Sequence, residues 1–165
     1  MMKQLSITLG ALAIGFAATQ AMAQMSPADK TFATKAASGG MAEVQLGRLA
    51  AQNAGSPAVR EFGQKMATDH TQANQALQEI ARQQQLTLPT APASADQATE
   101  ERLRAMKGNA FDTAYMKDMV QDHRQDVADF RKEAESGTDP ALKAFAQKYL
   151  PVLEQHLKMA ETAAK

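Results

Sequence analysis

Apolar residues recur every three or four positions along four long stretches of the chain, which is the spacing of one face of an α-helix. Most prolines and several glycines lie between these stretches. The pattern predicts four long helices, each with an apolar face turned toward a common core. Their expected limits are Pro27 to Gly55, Pro57 to about Gln85, about Ala110 to Glu135, and Pro140 onward, with a kink at Pro151.

The start signals support these limits. A serine precedes a proline at Ser26-Pro27 and again at Ser56-Pro57, and Asp139 precedes Pro140. Serine and aspartate favour the N-cap, and proline favours the first helical position. Ser94 and Asn109 are the caps expected for a short helix to about Lys107 and for the third long helix.

The connections between the helices predict the topology. Short turns join the first helix to the second and the third to the fourth. Between the second and third helices lies an extended segment from Leu86 to Ser94, followed by the short helix. Roughly 9 extended residues and a helix of about 13 span roughly 50 Å, enough to return along a bundle of roughly 40 Å. We therefore expect an all-α four-helix bundle with a long crossover carrying a short extra helix. The first and fourth helices would point one way, and the other two the opposite way.

Ionisable residues interrupt the apolar face of each long helix near its middle. These residues are Glu43, His70, His123 and His156, and they include all 3 histidines of the chain. The predicted topology places the four at nearly the same height in the bundle, each pointing inward. Buried groups of this kind must be paired, hydrogen-bonded or bound to a metal.

A metal site is the first hypothesis for this layer. Three imidazoles and one carboxylate, from Glu43, His70, His123 and His156, suffice for one Zn, Fe or Cu ion. Asp69 and Asp122 directly precede two of the histidines and are expected to support the ligands from outside. Met66 and Met119 lie one turn before the same histidines, and their thioethers strengthen the case for copper among these metals.

A metal-free layer is the alternative. Buried Glu–His hydrogen bonds could fix only the register of the bundle, and the protein would then act through its surface on another envelope component. An oxidoreductase is the least favoured interpretation. Di-iron bundles use Glu-x-x-His, whereas the residues three before the histidines are Ala67, Val120 and Leu153. We assign no catalytic residue and no organic cofactor.

The N-terminal segment predicts export. Lys3, an apolar run from Leu5 to Ala18 and the small residues of Ala21-Met22-Ala23 form a signal peptide over residues 1–23. The alternative is an uncleaved membrane anchor. A single domain over residues 24–165, periplasmic or secreted and without a transmembrane segment, would remain.

Composition narrows the partners of that domain. Removal of Lys3 leaves 17 basic residues against 18 acidic ones, without a basic stripe, so we expect no nucleic-acid partner. The chain has no cysteine, so neither disulfides nor thiolate ligands contribute. An envelope protein is a candidate partner, and nothing in the pattern predicts the oligomeric state.

Five segments together resemble a known family. They are Gly39-Gly40-Met41-Ala42-Glu43-Val44, Met66-Ala67-Thr68-Asp69-His70, Phe111-Asp112-Thr113-Ala114-Tyr115, Met119-Val120-Gln121-Asp122-His123, and Leu150-Pro151 with His156-Leu157. The pattern is similar to that of exported bacterial ferritin-like bundles grouped as domain of unknown function 4142, often labelled membrane or outer-membrane proteins. The resemblance implies a ferritin-like bundle and export, and it implies no activity. We expect a role in envelope homeostasis or stress.

Overall fold

The computed structural model describes residues 25–165, and the regular structure of this part is helical. Two hairpins, α1 with α2 and α4 with α5, pack against each other, and the short α3 lies against α1 and α4. This arrangement confirms the predicted all-α, ferritin-like four-helix bundle with its helical crossover. The helices are α1 Pro27–Asn53, α2 Pro57–Gln83, α3 Ser94–Arg104, α4 Gly108–Ser136 and α5 Pro140–Ala163.

Contacts at the two ends of the bundle fix the helix directions. At one end, the Asp112 carboxylate near the start of α4 accepts the backbone N–H groups of Gly55 and Ser56, which precede α2. At the other end, Gln84 after α2 donates to Asp139 before α5. Helices α2 and α4 therefore run in one direction and α1 and α5 in the other, as the length of the crossover predicted.

The predicted caps are right at some helix starts and wrong at others. The Ser26 hydroxyl accepts the backbone N–H of Asp29, and the Asp139 carboxylate caps α5. Ser94 and Asn109, by contrast, lie inside α3 and α4, whose N-cap residues are Ala93 and Lys107. Helix α4 begins earlier than predicted because Gly108 turns the chain into it with a φ of 59°, which glycine adopts without strain.

Close approach of α1 and α2 depends on two glycines. A Cβ on Gly47 would lie 2.6 Å from the Gly63 carbonyl oxygen, and a Cβ on Gly63 would lie 2.6 Å from the Ala50 side chain. Helix α1 continues through Gly39 and Gly40, and α5 continues through Pro151. The kink expected at Pro151 stays a prediction.

The apolar core has two parts with the polar layer between them. The part near the start of α2 contains Phe62, Met66 and Tyr115, and the opposite part contains Phe32, Phe130 and Phe145. Phe32 packs edge-on against Phe130 at a ring-centroid distance of 5.0 Å, and Phe62 against Tyr115 at 6.1 Å. Each side of the histidine layer therefore rests on packed side chains, which hold the four helices in register.

The predicted signal peptide, residues 1–23, lies outside the described residues. Among residues 25–165, no helix combines the length and hydropathy that crossing a membrane requires.

Candidate metal centre

The four residues predicted from the sequence meet at one level of the bundle. The ring centroids of the three histidines are 5.4–5.8 Å apart. His123 and His156 are fully buried, and His70 and Glu43 are 5% and 4% exposed. α1 supplies Glu43, α2 supplies His70, and α4 and α5 supply the other two histidines. Groups as far apart in sequence as Glu43 and His156 thus form one cluster.

Each histidine has one ring nitrogen that faces a hydrogen-bond acceptor. His70 Nδ1 lies 2.9 Å from Glu43 Oε2, and His156 Nε2 lies 2.8 Å from Asp69 Oδ2. His123 Nδ1 lies 3.0 Å from the backbone carbonyl oxygen of Met119 and 3.4 Å from Glu43 Oε1. These acceptors favour the tautomer that carries its hydrogen on the paired nitrogen.

The other ring nitrogen of each histidine has no hydrogen-bond partner among the described residues. These atoms are His70 Nε2, His123 Nε2 and His156 Nδ1, all shielded from solvent. Potential ligand atoms of the same three histidines, one from each, lie within 4.8 Å of one another. Three imidazole lone pairs without donors are therefore buried on rings whose centroids are 5.4–5.8 Å apart, which is costly unless a cation or a donor joins them.

Burial keeps the three imidazoles neutral. It lowers the pKa of His70, His123 and His156 to about 4, and the neighbouring acceptors offset this only in part. Neutral imidazole is the form that binds metals. At neutral pH the three rings are therefore already in the protonation state that a metal ligand requires.

Glu43 lies on the outer side of two rings. Its two oxygens face the Nδ1 atoms of His70 and His123, so its position is that of a carboxylate that orients metal-bound imidazoles. Burial raises the pKa of Glu43 to about 7, even though the attraction of His123 opposes the shift. The sequence-based hypothesis of Glu43 as a direct ligand is not tested by this geometry, but its position favours the orienting role.

The two aspartates predicted to support the ligands are placed differently. Asp69 contacts His156 of α5 rather than the adjacent His70, and its other partner is Lys65 at 2.8 Å. Burial alone raises the pKa of Asp69, but the hydrogen bonds from Lys65 and His156 outweigh it and the pKa is lowered. Asp122 forms no hydrogen bond or ion pair with a described histidine; burial and two other aspartates raise its pKa to about 6.

The two methionines proposed as additional ligands are fully buried in the core part near the start of α2. Met119 contributes to the cluster through its backbone carbonyl, which accepts from His123. Within residues 25–165, the side chains placed closely enough to hold a metal ion together are those of the three histidines. A thioether ligand stays a prediction.

Two further polar groups near the cluster were not predicted. The Asp126 carboxyl lies beside Glu43, and burial together with Glu43 raises its pKa well above the usual range. The Tyr115 hydroxyl is fully buried and has no partner among residues 25–165. Asp126 follows His123 by three residues, so both lie on one face of the helix. This spacing could have predicted that Asp126 lies near the cluster. Tyr115 gave no such signal, because it occupies an ordinary position in the apolar stripe.

The cluster fits a single ion better than a pair. Tetrahedral Zn with bonds of about 2.0–2.1 Å requires ligand nitrogens roughly 3.4 Å apart. One potential ligand atom from each histidine lies within 4.8 Å of the other two, so the rings would move closer together around an ion. A cavity of about 20 Å³, room for about one water molecule, is lined by Glu43, His70, His156 and Asp126. We call it the inner cavity. A fourth ligand as small as water could occupy it.

Fold and site together define a four-helix bundle with a buried layer of three histidines and their carboxylate partners. The family model described as domain of unknown function, DUF4142, matches residues 15–163. The chain belongs to this family. Searches of curated proteins and of solved structures found no match.

Proposed function

We propose that this protein binds one transition metal ion through His70, His123 and His156. The observation that carries the proposal is that three neighbouring histidines each keep one buried, unpartnered ring nitrogen while the opposite nitrogen faces an acceptor. One potential ligand atom from each of these rings lies within 4.8 Å of the other two. A layer that served packing alone would leave three lone pairs without donors. A metal ion removes that cost, and the outer acceptors hold the rings in the tautomer that the metal needs.

The donor set limits the choice of metal. Imidazole nitrogens suit Zn, Cu and Fe, and the absence of cysteine removes thiolate as a ligand. Three histidines with one open position are a familiar arrangement for Zn. The open position at the inner cavity would take water, and Glu43 and Asp69 would orient the rings. The proposal is a binding function and assigns no reaction.

Export and a role in envelope homeostasis or stress belong to the same proposal. They are supported by the segment Lys3 to Ala23, which has the features of a cleaved signal peptide. The intact mass of the protein from its own cell should lack residues 1–23. A full-length chain recovered with the membrane fraction would contradict export as a cleaved protein.

The metal-free layer is the second candidate, and one observation favours it. The layer lies between two packed apolar parts, where hydrogen-bonded polar groups can fix helix register. Under this alternative, added metal leaves the unfolding temperature unchanged, and the protein acts through its surface.

Metal content and metal-dependent stability distinguish the two candidates. Tag-free protein purified from its own compartment is analysed for bound elements, then stripped with chelator and titrated with Zn, Cu and Fe salts in a calorimeter. We expect one ion per chain and a higher unfolding temperature, because metal at 100 times Kd stabilises the folded state by about 2.7 kcal/mol. His123→Ala and His156→Ala should weaken binding by orders of magnitude, whereas Gln155→Ala, an exposed neighbour, should not. If the native protein contains no metal and none of the three metals changes its unfolding temperature, the metal site is contradicted and the packing role is supported.

A further inference from the structure

The crossover between α2 and α4 is fixed to the bundle near its two ends. At the first end, Leu86 and Leu88 are partly buried against one of the two core parts. At the second end, Leu103 is fully buried in the other core part, and the Asn53 side chain of α1 donates to the backbone carbonyl oxygen of Met106 at 3.1 Å. Both ends therefore share the stability of the core.

Between these ends the crossover lies on the bundle without being packed into it. We call residues 89–101 the arch, and none of them is buried. Its hydrogen bonds to described residues stay within the crossover, as that from Gln97 to the Pro92 carbonyl oxygen does, and the first tie beyond it is the Arg102–Asp118 ion pair. Segments with few buried apolar contacts and few hydrogen bonds to the rest of a fold open locally most readily.

A groove of about 700 Å³ lies beneath the arch, between α1, α3 and α4. Its lining includes Ala91, Ala93 and Ala95 from the arch, and Ala42 and Leu46 from α1. Packed interiors leave few spaces larger than one water molecule. The arch therefore spans the groove instead of filling it, and its short side chains leave room for it to move.

The groove adjoins the inner cavity. Gly39 and Glu43 of α1 and Asp126 of α4 line both spaces, and His70 and His156 line the inner cavity. A Cβ on Gly39 would meet nothing within 4 Å, so open space lies where the two volumes meet. Displacement of the arch would widen the way from solvent to the histidine layer.

We propose that the arch is a movable cover, which swings away from the groove on its two fixed ends to admit a metal ion to the histidine layer. This inference rests on the proposed metal-binding function. A hydrated ion carries more water than the inner cavity of about 20 Å³ can hold, so it must shed water in the wider groove. Opening and closing of the cover would then set the rates at which metal enters and leaves.

A cross-link that holds the arch in place tests this role. The chain has no cysteine, so Ser38→Cys on α1 and Ala95→Cys on α3, both in the groove lining, can be joined specifically by a flexible bismaleimide. Uptake of Co²⁺ alone by the chelator-treated protein is followed by stopped flow, because its visible absorption reports nitrogen ligands. The cross-link should slow association and dissociation about 10-fold or more and leave Kd within about 3-fold of wild type.

The matched control is the same double variant with each cysteine capped by N-ethylmaleimide. It carries similar added bulk without the link and should bind and release Co²⁺ at close to the wild-type rates. Thermal unfolding confirms that both forms are folded before their rates are interpreted. Equal rates in the cross-linked and capped proteins, with Co²⁺ still bound, would overturn the cover and leave the metal site intact.

Hydrogen exchange of the metal-free wild type tests the movement without any metal. The amides of α3 should exchange at least about 100-fold faster than those in the middle of α1, and the cross-link should slow them while the caps should not. Protection of α3 equal to that of α1 would overturn the cover whether or not metal binds. Failure of the wild-type chain to bind Co²⁺ would overturn the metal site and, with it, the role of the arch in metal entry.

Discussion

Asp29 and Glu43 are carboxylates of the same helix with almost the same burial, 1% and 4% exposed, and the fold satisfies them very differently. Asp29 accepts hydrogen bonds from the backbone N–H groups of Thr138 and Asp139, at 3.1 and 3.0 Å, and from the Thr138 hydroxyl. It thereby ties the start of α1 to the turn between α4 and α5. Burial alone would raise the pKa of Asp29, but these donors outweigh it and the pKa is lowered.

Glu43 has no comparable set of donors. Burial dominates and raises its pKa to about 7. One oxygen lies 2.9 Å from His70 Nδ1, and the other lies 3.4 Å from His123 Nδ1 without forming a hydrogen bond to any described residue. The contrast separates two uses of a buried charge. A carboxylate whose acceptors are all filled stabilises the fold, whereas one with an open acceptor beside unpartnered nitrogens lies where we propose that a metal ion binds.

The largest effect is expected for Asp29→Asn. The amide replaces one acceptor oxygen with donors that face the N–H groups of Thr138 and Asp139, so a charged acceptor is lost and donors oppose one another. We expect a loss of about 2–4 kcal/mol in the free energy of unfolding, measured by urea denaturation, with unchanged metal affinity. An unchanged midpoint, or a loss of metal binding without loss of stability, would contradict the assignment of Asp29 to the fold.

Glu43→Gln should show the opposite behaviour. Removing the carboxylate that orients His70 and His123 should weaken Zn²⁺ binding about 10–100-fold by calorimetry. The metal-free variant should lose little stability, because a pKa of about 7 leaves Glu43 partly protonated near neutral pH, so the wild-type layer does not depend on a full negative charge there. Asp122→Asn is the matched control and should keep wild-type affinity, since Asp122 has no hydrogen bond or ion pair with a described histidine. Equal affinities of the Gln variant and wild type would remove Glu43 from the site.

Helical periodicity was sufficient to predict the bundle, its directions and the meeting of the four layer residues. Each of these follows from spacing along one helix and from the length of the crossover. The partners of those residues could not be predicted in the same way. That Asp69 contacts His156 rather than His70 depends on the rotation of α2 against α5, a property of the packed pair.

The role of Asp29 was hidden for a similar reason. In the sequence it is an acid in the first turn of a helix, which is common and satisfied locally. Its partners at Thr138 and Asp139 are 109 and 110 residues away and become neighbours only when the hairpins pack. The cap at Asn109 failed because the left-handed conformation of Gly108 starts α4 one residue before it.

The pH dependence of the free energy of unfolding extends the comparison to Glu133, which is buried near Asp29. Burial, and then the charge of Asp29, raises the pKa of Glu133 from 4.5 to about 7. The folded state therefore holds the Glu133 proton more firmly than the unfolded state. The contribution of the Glu133 proton to the stability of the fold is fully present below about pH 4.5 and is lost as the pH rises to about 7.

The measurement must isolate Glu133, because the buried histidines act in the opposite direction within part of the same range. Their pKa of about 4 lies below the usual 6.5, so their contribution to stability rises with pH across that interval. Urea unfolding of metal-free wild type and Glu133→Gln is compared between pH 4.5 and 7. The stability of the variant relative to wild type should increase with pH. A difference independent of pH would show that Glu133 does not titrate in this range.

The smallest effect is expected where a carboxylate is exposed. Glu154 of α5 pairs with Arg131 of α4 at 2.6 Å, and the two side chains are 46% and 51% exposed. Water solvates both charges in the folded and the unfolded protein, so the pair gains little from folding. A double-mutant cycle with Arg131→Ala and Glu154→Ala should give a coupling of about 0.5 kcal/mol or less. We therefore expect a carboxylate to contribute strongly to the free energy of unfolding at Asp29, to metal affinity at Glu43, and almost nothing to either at Glu154. A coupling above about 2 kcal/mol at this surface pair would mean that charge, rather than burial, determines the difference between Asp29 and Glu43.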